Sequence, residues 1–392
     1  MTLAATARRS SGGGAHAGSG PAWARWNGVR GKRYTVGAEE ELMLLDAGGV
    51  SLAQSGDAVL RGLSGGLAAH TAPETHASVL ELVSSVHADA PGAVAELADL
   101  RGRMSTELAE FGLSPASAGT YPLLGPSRVR ISGSPRYNKL ADSMRSLARQ
   151  EPTLALHVHV GVPDPEDALK ALNRLREALP LLLALSANSP FSQGEDTGFA
   201  STRAVIFQRF PRTGPPRRFN AYGDYVETVD SLVASGAVPD PSFVWWDARL
   251  QPALGTVELR VMDAQSTIAD TASLVAFIQS LVRLALEDDE PTRVSSPEVL
   301  AENRFLAARD GIQARLIDPQ ARRLVSARTL VRALAERCRP HSAALGCSRE
   351  LDRLERLLAA NGADRQRAEA RRVGLAGVVT ALSNRFTTQR SD

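Results

Sequence analysis

Three short stretches of the chain set ionisable side chains at alternate positions against an unbroken apolar row. In a strand, residues i and i+2 share a face. In VGAEEELML, which begins at Val36, Glu39 and Glu41 therefore point one way and Glu40, Leu42 and Leu44 the other. In ALHVHVGV, His157, His159 and Gly161 share a face opposite Leu156, Val158, Val160 and Val162. In TVELRVMD, Glu258 and Arg260 oppose Val257, Leu259 and Val261. Each pattern alone is ordinary: a solvated E-x-E edge, a packed histidine pair, a structural salt bridge. Together they predict a sheet whose apolar face packs on helices and whose other face gathers charge. Paired carboxylates repel unless a cation or proton lies between them. Glutamate oxygens suit hard cations such as Mg²⁺ or Mn²⁺, and Glu81 in SVLELVSS is a fourth contributor.

The rest of the chain narrows the class. The 45 basic and 43 acidic side chains leave +2, a balance that gives no field for nucleic acid or an acidic membrane. The longest apolar run, Leu179–Ala187, falls far short of the roughly 20 residues a membrane span needs. Two cysteines, Cys338 and Cys347, in 392 residues fit a reducing, cytoplasmic setting. Lys32, Lys139 and Lys170 are the only lysines, and none lies in a G-x-x-x-x-G-K-[ST] loop. Anion handling therefore falls to arginine or metal.

Residues 1–32 hold no acidic side chain and carry a Gly/Ser/Ala run, so they are expected to form a flexible tail. Residues 33–392 are expected to form one domain, mostly helical from about Val299 onward. Helical spacing marks Pro91–Gly112, the segment after Pro163, and Thr271–Asp288. Ser186–Pro216 reads as a long loop of the kind that serves as a lid or binding loop. It bears Arg203, Arg209 and Arg212, which suit carboxylate or phosphate oxygens. In VWWDARLQP the tryptophans suit packing and Arg249 the site.

Taken in order, VGAEEELMLLD, HVHVGVPDPEDAL, LPLLLALSANSPF, GEDTGFASTR, FPRTGPP, VWWDARLQPALGTVELRVMDA and AENRFLAARDGI resemble the YbdK-type carboxylate–amine ligases, the second class of glutamate–cysteine ligases. The resemblance implies an α+β, glutamine-synthetase-like catalytic domain with a curved, largely antiparallel sheet. It implies ATP as co-substrate with Mg²⁺ or Mn²⁺, and an acyl phosphate that an amine converts to an amide. L-glutamate (γ-carboxylate) and L-cysteine are the default substrates, and a homodimer is compatible with it. Carried over residue by residue, Glu39, Glu41, Glu81, His157 and Glu258 become metal ligands. Arg260 and Arg203 become the catalytic arginines; His159, Asn188, Arg249 and Arg212 become substrate or ATP contacts. Neither cysteine is needed. Ala38, Thr153–Leu156 and Ser192 depart from the family pattern, the last two beside the pocket, and so bear on the amine. A ligase for a different amino acid or amine, a metal-dependent amide hydrolase built on H-x-H, and a non-catalytic relative are the rival readings.

Overall fold

The computed structural model describes residues 20–125, 129–288, 294–318 and 320–388. Its main sheet is built from β1 (Val36–Leu45), β2 (Thr71–Pro73), β3 (Val79–Val83), β4 (Ser114–Ala116), β5 (Ala155–Gly161), β6 (Ala248–Gln251) and β7 (Thr256–Asp263). The spatial order is β6-β7-β5-β1-β3-β2, with β4 also on β1, and every pair is antiparallel. A register irregularity between Leu259 and Met262 re-aims β7 against β5.

Among the helices are α1 (Ala90–Glu110), α2 (Pro135–Met144), α3 (Pro165–Leu175), α4 (Leu179–Ser186), α5 (Thr202–Phe207), α6 (Ile268–Glu287), α7 (Pro297–Asp310), α8 (Ala327–Ala344) and α9 (Gly362–Phe386). Asp89 caps α1 by accepting from the Gly92 N–H, with proline in the first turn. Buried residues then recur at Ala93, Leu97, Leu100, Met104 and Leu108, one helical stripe. That stripe joins Leu42, Leu44, Leu82, Val158, Val160 and Leu259 from the sheet and Leu274, Phe277 and Ile278 of α6 in one core. By length and composition α6 could cross a membrane, but 94% of its apolar window is buried inside the protein. It is the central helix behind the sheet.

Glu40 points into this apolar layer and is not left unpaired. Arg101 of α1 meets it through two N–H groups, at 2.8 and 2.7 Å, and Thr271 of α6 donates at 2.5 Å. Arg101 also donates to the carbonyls of Phe386 and Gln265 and lies 4.8 Å over the Phe386 ring. One buried ion pair thus ties β1, α1, α6 and the end of α9.

Two expectations need correction. Part of the presumed tail is folded onto the body: the Trp23 indole donates to Asp230, the Trp26 indole to the Val162 carbonyl, and Tyr222 to the Ala24 carbonyl. Residues 1–19 lie outside the described residues. Ser186–Pro216 is not one loop but holds a hairpin, Phe191–Ser192 with Glu195–Asp196, and helix α5. The helical C-terminal part is broken by a second hairpin, Arg315–Asp318 with Arg323–Ser326, because Asn303 pairs with both backbone groups of Ile317 and holds that stretch extended.

Replacing Glu40 by glutamine leaves Arg101 buried and uncompensated. Urea unfolding is expected to show a loss of about 3–5 kcal/mol, whereas a surface exchange such as Glu336→Gln should stay within about 0.5 kcal/mol.

Candidate active site

Strand register brings the three charged rows into one band. Glu39 lies opposite His157 on β5, Glu41 opposite Glu81 on β3, and Glu258 opposite both His159 on β5 and Arg249 on β6. Directly opposed residues share a face, so the alternation within each strand becomes a continuous polar surface. His157 Nδ1 is 3.3 Å from Glu39 and 3.8 Å from Glu81; His159 Nε2 is 3.4 Å from Glu39 and 3.8 Å from Glu258. The Ala155 N–H donates to Glu41 at 2.7 Å. The last residue of the histidine strand, Gly161, must lack a side chain because a β-carbon there would lie 2.6 Å from the Lys32 carbonyl oxygen.

A cavity of about 130 Å³ opens on this band, lined by Glu39, Glu41, Glu81, His157, Arg203, Arg249 and Arg260 among others. Glu258 and His159 form the fully buried row beside it. Arg203 is anchored by the carbonyls of Val261 and Arg260 and by Asp263. Asp247 is gripped bidentately by Arg304 of α7, and its carbonyl accepts from the Arg260 N–H, which fixes that part of β7.

The structure separates the remaining expected residues. Arg249 meets Glu258 through two N–H groups, Gln251 adds a third and Arg260 a fourth. Four donors fill the lone-pair sites of a carboxylate, so Glu258 reaches a cation only if Arg260 turns away. Asn188 does not line the cavity; its amide donates to Ala264 and Ser266 and accepts from Gln366. Arg212 is also outside the lining, with Nε on the Phe243 carbonyl and its guanidinium 5.2 Å over Trp245. Residues that strand patterning missed include Glu74, Arg136, Tyr137 and Glu151, all in the lining. They arrive from loops and from α2, where no local period marks them.

Titration states follow from this crowding. Burial alone would raise the Glu39 carboxyl, but His159 and His157 beside it hold it well below the usual range. Burial, and then the Glu74 carboxylate, push Glu41 up to about 8. Burial with Glu39 and Glu74 raises Glu81 well above the ordinary value. Burial, with the Arg260 charge adding, lowers His157 to about 4, so its imidazole is neutral and free to donate a lone pair.

The donor set fits divalent cations. Ligand atoms of Glu39, His157 and Glu258, and again of Glu41, Glu81 and His157, lie within 4.8 Å of one another. Glu39 Oε1 and His159 Nε2 are buried without a hydrogen-bond partner, a costly state that a bound cation relieves. A second cavity, about 350 Å³ and lined by Leu175, Leu181, Leu281 and Leu284, carries none of these groups.

The sign of the proton linkage gives a test. Glu41 titrates near 4.5 when unfolded and near 8 when folded without cation, so its contribution to stability is complete below pH 4.5 and lost as pH rises through 8. At pH 7 a cation must displace the Glu41 proton. Calorimetric titration with Mn²⁺ in two buffers of different ionisation heat should show proton release and a raised melting temperature. No release would contradict the carboxyl states described.

Residues 35–381 match the family described as glutamate-cysteine ligase family 2. A Rubrobacter xylanophilus protein named a candidate glutamate–cysteine ligase 2-1 is 42% identical over 336 residues, 85% of this chain and 89% of that one. A Sorangium cellulosum protein named a candidate glutamate–cysteine ligase 2 is 36% identical over 342 residues, covering 86% and 91%. The crystal structure of a Francisella tularensis glutamate–cysteine ligase in complex with AMP shares the fold, with TM-score 0.65 at 13% identity over 91% of this chain and 88% of that one. That likeness agrees with the expected α+β architecture built on a largely antiparallel sheet. The extent of the family match and the identity to these relatives lead to one conclusion: the chain belongs to glutamate–cysteine ligase family 2 and is an ATP-dependent ligase of that type.

Proposed function

We propose that the protein joins a carboxylic acid to an amine through an acyl phosphate made from ATP, with the γ-carboxylate of L-glutamate and L-cysteine as the first pair to try. The observation that carries this reading is the cavity itself. Glu39, Glu41 and Glu81 face it without an ion pair to arginine among the described residues, and Arg203 and Arg260 stand at the same wall. A site that holds divalent cations beside fixed guanidinium groups suits phosphoryl transfer, which needs positioning and charge neutralisation more than covalent help from the protein.

Glu39, Glu41, Glu81 and His157 would hold Mg²⁺ or Mn²⁺, with Glu258 joining once Arg260 lets go. When bound, the cations supply positive charge to the phosphate oxygens of ATP. Arg260 then turns from Glu258 to the transferred phosphoryl group or the substrate carboxylate, and Arg203, fixed through backbone carbonyls, steadies a second anionic group. Neutral His157 completes the metal set and takes no proton from the substrate. No side-chain nucleophile enters, and the two free cysteines are buried away from the cavity, with burial pushing Cys338 up to about 12. Small-molecule substrates and a reducing, cytoplasmic setting accord with this chemistry.

Incubation with Mg-ATP and a panel of acids and amines tests the reading. ADP and phosphate release should require both partners, and a product should appear at their summed mass less water. Glu41→Gln is expected to lower turnover at least 100-fold while leaving the circular dichroism spectrum unchanged. Amide cleavage with metal and no use of ATP would support a hydrolase instead.

A further inference from the structure

The cavity holds more carboxylate than its cations need. Five lining glutamates, Glu39, Glu41, Glu74, Glu81 and Glu151, form no ion pair with arginine among the described residues. The two groups of side chains that could hold a cation take in Glu39, Glu41 and Glu81. Glu74 is engaged at both oxygens, one accepting from Tyr137 and the other from the backbone and hydroxyl of Thr75. Glu151 differs. Its Oε2 accepts from Ser192 Oγ at 2.5 Å and Gln193 Nε2 at 3.2 Å, and among the described residues no hydrogen bond reaches Oε1.

The group that holds Glu151 is itself built rigidly. Ser192 stands before a two-residue hairpin turn in which Gln193 and Gly194 both have positive φ, +53° and +84°. The Gly194 N–H donates to the Pro122 carbonyl, and Thr120 Oγ1 donates to the Phe191 carbonyl at 2.7 Å. Thr120 in turn bridges Thr153, another lining residue. Ser192 holds Glu151 directly, and Thr153, two residues after Glu151, lines the same cavity.

We propose that Glu151, oriented by Ser192, is the ammonium subsite for the amine substrate and receives its first proton. The inference rests on the ligase reading. The substrate class is a primary amine that arrives protonated. One N–H proton passes to Glu151 Oε1, and the freed nitrogen pair attacks the acyl-phosphate carbon. The C–N bond forms and the C–O bond to phosphate breaks. The second nitrogen proton leaves with the phosphate oxygen, and Glu151 returns its proton to water.

Hydroxylamine separates this role from that of the activating site, because it is largely uncharged at pH 7 and traps an acyl phosphate as a hydroxamate without an ammonium subsite. The full chain, with Mg-ATP and L-glutamate, is assayed with hydroxylamine and with primary amines, L-cysteine first. In Glu151→Gln the KM for the amine should rise about 10-fold or more, the loss of one charge-assisted hydrogen bond, while hydroxamate formation stays within about two-fold. Ser192→Ala, which keeps the carboxylate but loosens it, should give a smaller rise of the same kind. Equal loss of both products, or no change in either, overturns the assignment of Glu151. Absence of ATP consumption by the unaltered protein with every nucleophile overturns the ligase reading instead.

Discussion

The arrangement depends on how three consecutive glutamates of β1 are divided. Strand geometry sends Glu39 and Glu41 to one side and Glu40 to the other, into a layer of leucine, valine and phenylalanine. A lone carboxylate there would be expensive to bury. Arg101 and Thr271 meet it, and Arg101 carries the contact on to Gln265 and Phe386. A buried pair of this kind adds little net stability over apolar packing, yet removal of one partner is costly. Its consequence here is register. A one-residue slip of β1 would put Glu40 in the site and Glu39 and Glu41 in the core, and Arg101 could then satisfy neither arrangement.

With β1 held, the site follows from antiparallel pairing. Glu41 faces Glu81, Glu39 faces His157, and His159 faces Glu258, so residues from four segments form one surface without a loop to place them. The sheet is a rigid support of the kind that fixes reacting groups closely. Mutual repulsion is part of the design. Glu41 and Glu81 are driven toward the protonated state by burial and by each other's neighbours, while the histidines hold Glu39 charged and the arginines hold Glu258 charged. Neighbouring carboxyl groups thus differ in readiness for a cation according to what stands next to them.

Much of this was legible in the chain because the signal is local. A period of two, backed by an unbroken apolar row, gave the three strands and the face of each named residue, and the long apolar helices behind them were equally plain. Residues whose place depends on distant contacts were not legible. Glu151 precedes Pro152 outside any periodic element, and its role depends on a hairpin some forty positions later. Glu74 follows a three-residue edge strand. Asn188 and Arg212 were expected as substrate or ATP contacts from the family resemblance, but their side chains bond to the protein itself. Glu258 was read correctly as part of the row, whereas its enclosure by Arg249, Gln251 and Arg260 depends on β6 pairing with β7, a register no single strand reveals.

The central claim is that the polar face activates a carboxylate by moving a phosphoryl group onto it. The most direct measurement uses an acid substrate labelled with ¹⁸O in its carboxylate and follows the label by mass. Passage through an acyl phosphate predicts one ¹⁸O in each phosphate released and the other retained in the amide. Unlabelled phosphate, with amide still formed, would contradict the account.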